Sequence, residues 1–171
     1  KDSFNEHRFL VTWLPVLMLT AVALACIAFG GWILTTVYLY WQWWHYTRQS
    51  YGVSRIYQRR AGLNSDLLHK LVIYALPAWG ILHRSAQAPD KFLFTEVRVF
   101  PVPFGLVGLA GSFAVVVLAW WIARTIKDWF SNSLSVAHTL YLLSHLVIFG
   151  VGYLAISDIN HGWLVLTIWH N

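Results

Sequence analysis

Residues 9 to 40 read FLVTWLPVLMLTAVALACIAFGGWILTTVYLY and carry no charged side chain. About 20 consecutive apolar residues in a helix cross a bilayer core, so this run reads as one membrane span. Pro15 lies in its first turns, and the Gly30-Gly31 pair is a candidate bend or close-packing point. The rest of the chain agrees. Of its 171 residues, 58% are hydrophobic and only 11% are charged, against about 25% charge in soluble domains, and the mean hydropathy is +0.55. An ordinary soluble globule is excluded, and so is a disordered chain, which requires low hydrophobicity and high charge. Cys26 has no second cysteine to pair with, which excludes a disulfide scaffold. The first apolar run is too long for a signal-peptide core and lacks a small-residue cleavage site, so it is expected to stay as an anchor.

The fold class expected is an all-α integral membrane protein, a helical bundle of about four spans plus the start of a fifth, in a single transmembrane domain over residues 1–171. The spans fall at 9–40, 66–84, 105–124, 136–156 and 162–171. The second is short and holds Pro77 and Gly80, so it reads either as a full span with snorkelling ends or as a re-entrant piece. Between it and the third, FLFTEVRVF (92–100) alternates as a short strand or interfacial loop would. The last run stops at Asn171 soon after it begins, which reads as a fragment of a longer chain. Trp41, Trp43, Trp44, Trp120 and Trp121 sit at span ends, where tryptophan belts form at the membrane interface.

Counting basic residues under this alternation places Arg48, Arg55, Arg59, Arg60, Lys70, Arg124 and Lys127 on one side. Lys1, Arg8, Arg84, Lys91 and Arg98 fall on the other. The richer side is cytoplasmic by the positive-inside rule. No stripe of basic and aromatic residues marks a polar face, so nucleic acid is not an expected partner. The expected partners are the lipid bilayer and other membrane subunits.

Eight histidines stand out in so apolar a chain, because an ionisable side chain in hydrocarbon is costly and needs a partner. None forms HxxH or HExxH, so desaturase and zinc-protease signatures are absent. The seven-residue step from His138 to His145 falls about 20° short of two full turns, placing both imidazoles on one face about 10 Å apart. His45 and Gln49 are likewise one turn apart. By helical rise, His45, His69 and His138 lie near the cytoplasmic boundary, His145 about 12 Å deeper, and His170 near mid-depth. His45, His138, His145 and His170, with Gln49, are therefore expected to converge on a site for Fe, Zn or Cu, which accept nitrogen ligands. Asp66 and Asp128 are the only acids near that end.

Each position also has an ordinary reading. His45 would bond headgroups, His69 and His138 would be boundary residues, and His145 would make an interhelical hydrogen bond. A buried His145 is alternatively an axial ligand for a tetrapyrrole, haem or (bacterio)chlorophyll. Nucleophilic catalysis finds no set. Cys26 lies mid-span with no base, and the side chains of Ser144 and His145 point about 100° apart. No catalytic residue is assigned.

The block WHYTRQSYGVSRIYQRRAG, residues 44 to 62, resembles an HYxxQxYG segment of uncharacterised polytopic bacterial membrane proteins. NHGWLVLTIWHN, residues 160 to 171, is similar to the opening of a second segment of the same group, and the two blocks cover about a fifth of the chain. The resemblance nominates His45, Gln49, Tyr51, Gly52, His170 and Asn171, carries no activity with it, and implies a bacterial inner membrane. Two functions are expected. One is a histidine-lined metal site acting on a lipid or isoprenoid-like substrate. The other is a non-enzymatic accessory subunit of a photosynthetic or respiratory complex.

Overall fold

The computed structural model describes residues 7–64 and 66–170. Its helices, in chain order, are α1 (Phe9–Phe29), α2 (Trp32–Arg60), α3 (Leu67–Ala86), α4 (Phe104–Phe130), α5 (Val136–Ala155) and α6 (Ile159–His170). The first turn of α1 and the last of α5 are π-wound. Between α3 and α4 lies an antiparallel hairpin, β1 (Lys91–Phe92) with β2 (Thr95–Glu96). Of these helices, α1, α4 and α5 are long and apolar enough to cross a bilayer, which is compatible with an integral membrane protein.

The run over 9–40 is two helices, not one. Gly30 takes a φ of 93°, a left-handed backbone that only glycine adopts readily, and its N–H closes α1 on the carbonyl of Cys26. Residues 32–40 therefore begin α2. The stretch over 66–84 is a continuous helix with Pro77 inside it. Its first turn meets the last turns of α4 through Asp66 and Arg124. Its last turn meets the end of α5 through Arg84, which donates to the carbonyls of Gly152 (3.0 Å), Ser157 (2.7 Å) and Ile156. This buried guanidinium takes up carbonyls that the helix end would otherwise leave without donors.

The FLFTEVRVF segment contributes the hairpin, which seats on the start of α2. Thr35 donates to the carbonyl of Glu96, Arg98 N–H donates to Thr36, and Phe100 N–H donates to Tyr40. Phe92 is wholly enclosed beneath it. The main core lies between α3, α4 and α5, where Val72, Ala75, Ala114, Val117, Trp121, Leu142 and Leu146 pack together. Gly111 lets Trp79 lie against α4, since a Cβ there would come 2.9 Å from the indole.

Candidate functional site

The polar chemistry gathers where α2 ends, α3 begins, α4 ends and α5 begins. A cavity of about 330 Å³ opens there, with Asp66, His69, Arg124, Asp128 and His138 in its wall. Asp66 precedes Leu67 as the N-cap of α3, in extended backbone, and accepts the backbone N–H of His69 at 2.9 Å. The same cap brings the ring of His69 to the carboxylate, with Nδ1 2.6 Å from Oδ1. A carboxylate oxygen only accepts, so Nδ1 carries the hydrogen, and in the neutral form of the ring the lone pair is on Nε2. The other carboxylate oxygen accepts from Arg124. Burial pushes the Asp66 carboxyl up, but the hydrogen bonds from His69, the charge of that ring in its protonated form and the charge of Arg124 outweigh it and hold the group below its ordinary range.

The ring of His138 lies 4.9 Å from that of His69. It is 2% exposed, and its Nε2 is 3.0 Å from Oγ of Ser54 on α2. The arrangement is a carboxylate-oriented imidazole beside a second imidazole, at a charged and water-accessible mouth. It can take up, hold and release a proton, and Arg124 can pair with an anionic group.

The four histidines expected to share one locus occupy three places. His45 and His170 form a pair, with ring centroids 5.3 Å apart, and His170 also lies 4.0 Å from Tyr46. His138 joins His69, which sequence reasoning left as a boundary residue. His145 stands alone, fully enclosed beside Phe149, with Nε2 3.1 Å from the carbonyl of Ile73. That carbonyl is special. Pro77, four residues on, has no N–H to give it, and His145 supplies the missing donor. Its ordinary reading as an interhelical hydrogen bond thus has a cause in α3.

Nε2 of His145 is engaged and the Phe149 ring lies 4.2 Å away, while Nδ1 is enclosed without a hydrogen-bond partner. Among the described residues, no three His, Cys, Asp or Glu side chains come together as a metal site, and a catalytic zinc site uses three protein ligands. His69 and His138 with Asp66 offer two imidazoles and a carboxylate already engaged by His69 and Arg124.

Gln49 is exposed and lines a second cavity of about 190 Å³ together with His170. Tyr51 is half-buried against Tyr74, Gly52 faces open space, and Asn171 lies outside the described residues. Trp41, Trp44 and Trp120 are exposed, and Trp41 and Trp44 lie part-way along α2, not at the end of a helix. Trp43 and Trp121 turn inward instead. Trp43 donates to the carbonyl of Pro77 at 2.7 Å, and Trp121 is buried in the α3–α4–α5 core. The Asp66–His69 pair was legible in principle, because an Asp ahead of an apolar helix with a His three residues on is a capping pattern with a titratable partner. No protein-family model, curated protein or solved structure matches the chain.

Proposed function

We propose that this chain is a polytopic protein of the bacterial cytoplasmic membrane that performs proton transfer on the polar head of a lipid or isoprenoid-like amphiphile. The observation that carries this reading is the 2.6 Å contact between Asp66 and His69 at the wall of the charged cavity. His69 acts as the proton acceptor through Nε2, Asp66 holds its tautomer, and Arg124 attracts an anionic head. The long apolar flanks of α4 and α5 keep the substrate's tail in the bilayer.

In this reading the break at Gly30 lets α1 cross on its own, so that α1 to α5 alternate across the membrane and α6 enters it from the far side. Arg8 then joins the seven basic residues at the cavity end and leaves Arg84, Lys91 and Arg98 opposite. That bias supports a cytoplasmic cavity mouth more strongly than a single span over 9–40 does.

Mass spectrometry of total lipids tests the proposal, comparing cells that carry wild type, His69→Asn, Asp66→Asn or an empty vector. A species altered by wild type should return to the empty-vector level in His69→Asn, since a positioned acid–base group contributes about 10²–10⁴-fold. Identical profiles for wild type and empty vector would overturn it. A second reading, the accessory subunit, draws support from α1, whose apolar window contains no buried residue and offers a whole helix to a partner. Migration of the wild-type protein as a larger complex on native gels, lost when α1 is replaced by poly-leucine, would favour that reading.

A further inference from the structure

A second cavity, apart from the acid–base site, lies deeper between α2, α5 and α6. Its volume is about 190 Å³, and its wall includes Gln49, Ser50, Tyr141, Ser144, Trp169 and His170. On α5, Ser144 follows His138 by six residues, about 9 Å of helical rise. Leu140, Leu143 and Val147, at the same level of α5, are exposed, so the cavity opens on an apolar flank. None of the six residues is acidic, lysine or arginine, in contrast to the cavity at the helix ends.

Two backbone carbonyls beside the cavity are already taken. The hydroxyl of Tyr141 donates to the carbonyl of Ser50 at 3.1 Å, and the hydroxyl of Ser144 donates to the carbonyl of Tyr141 at 2.8 Å. Donors remain. Gln49 brings an amide N–H₂ and His170 an imidazole to the same space. The rings of Tyr141 and Trp169, with centroids 6.2 Å apart, give it flat walls. Pockets that enclose a whole drug-sized ligand run to about 300–1,000 Å³, so this one takes a headgroup and leaves a tail outside.

We infer that this cavity binds the head of a neutral, flat, hydrogen-bond-accepting ring with a hydrocarbon tail, the chemistry of a prenylated quinone. The carbonyl oxygens of the ring accept from the amide of Gln49 and the imidazole N–H of His170, the ring lies against Trp169, and the tail runs out beside Leu140 and Leu143 into the acyl chains.

The test is titration of the full-length protein, in nanodiscs of quinone-free lipid, with a decyl-substituted benzoquinone, read by quenching of tryptophan fluorescence. Saturable quenching is expected, with much of its amplitude lost in Trp169→Phe. The midpoint should rise about tenfold in Gln49→Leu, the effect of one lost hydrogen bond, and binding should vanish in Ser144→Leu, which fills the cavity. Should Ser144→Leu fail to fold, Gln49→Leu, altered only at an exposed side chain, decides the matter. His69→Asn should bind as wild type does, so failure of the acid–base reading and failure of this one give different results. Quenching that never saturates, or a midpoint indifferent to Gln49, would mean partition into the bilayer alone and would overturn the inference.

Discussion

Helices α1 and α3 are of similar length, yet they occupy opposite extremes of the fold. α1 is the more apolar, with a mean hydropathy of 2.3, and has no buried residue in that window. α3 carries His69, Lys70, His83 and Arg84 and packs against α2, α4 and α5. In water the ranking would be reversed. Acyl chains solvate leucine as well as a protein interior does, so apolarity alone draws no helix inward. Polar groups and close-packing glycines have the larger stake in finding protein partners. α3 has several such bonds, from Asp66 at its start, through the Ile73 carbonyl, to Arg84 at its end.

The largest effect expected from this contrast concerns His145 and Pro77. His145→Leu should lower stability by about 2 kcal/mol, because it leaves the Ile73 carbonyl buried without a donor. In a Pro77→Ala background the alanine N–H restores the helical bond, and the same substitution should cost at least about 1 kcal/mol less. Thermal unfolding of the four proteins in detergent measures this coupling. Equal costs in the two backgrounds would show that His145 is held for some other reason.

A smaller effect is expected at the cap of α3. The Asp66 carboxyl lies below its ordinary value of 3.8 in the folded protein, so folding favours its ionised form. The resulting stability is present in full above that value and is lost as pH falls through the depressed one. Asp66→Asn should therefore cost about 1 kcal/mol at pH 7, allowing for solvent screening of the half-exposed Arg124, and the gap to wild type should narrow as pH falls below 3.8. A gap that persists in acid would remove the ion pair from the account.

The smallest effect is expected on α1. Leu17→Ala should shift stability by no more than about 0.5 kcal/mol in detergent, as substitutions at exposed positions do. A cost comparable with that at His145 would mean α1 is packed against another helix in the purified particle, and the contrast with α3 would fail.

Much of the scaffold was legible because helical length, apolar run and charge position are local properties. The runs over 105–124 and 136–156 became α4 and α5 with small changes at their ends, and FLFTEVRVF yielded the short hairpin. The break at Gly30 was visible as a glycine pair but not as a stop, since a glycine ends a helix only where the chain must take a left-handed turn. The histidines were harder. Periodicity placed His138 and His145 on one face, and both are buried there. It gave no sign that Ser54 and His69 would meet the first while Ile73 met the second.

Sequence alone determined that the chain is helical and apolar enough for a bilayer, because hydropathy and helical spacing are read residue by residue. The Asp66–His69 contact follows from a single helix cap and so lay within reach of the sequence, although His69 reads there as a boundary residue. Tertiary structure decided which polar groups share a space. It divided the expected histidine site among a charged cavity, a neutral one and an internal hydrogen bond. The reason is that a buried polar side chain goes to whatever donor or acceptor the neighbouring helix has left unpaired, and that neighbour is set by packing between segments far apart in the chain.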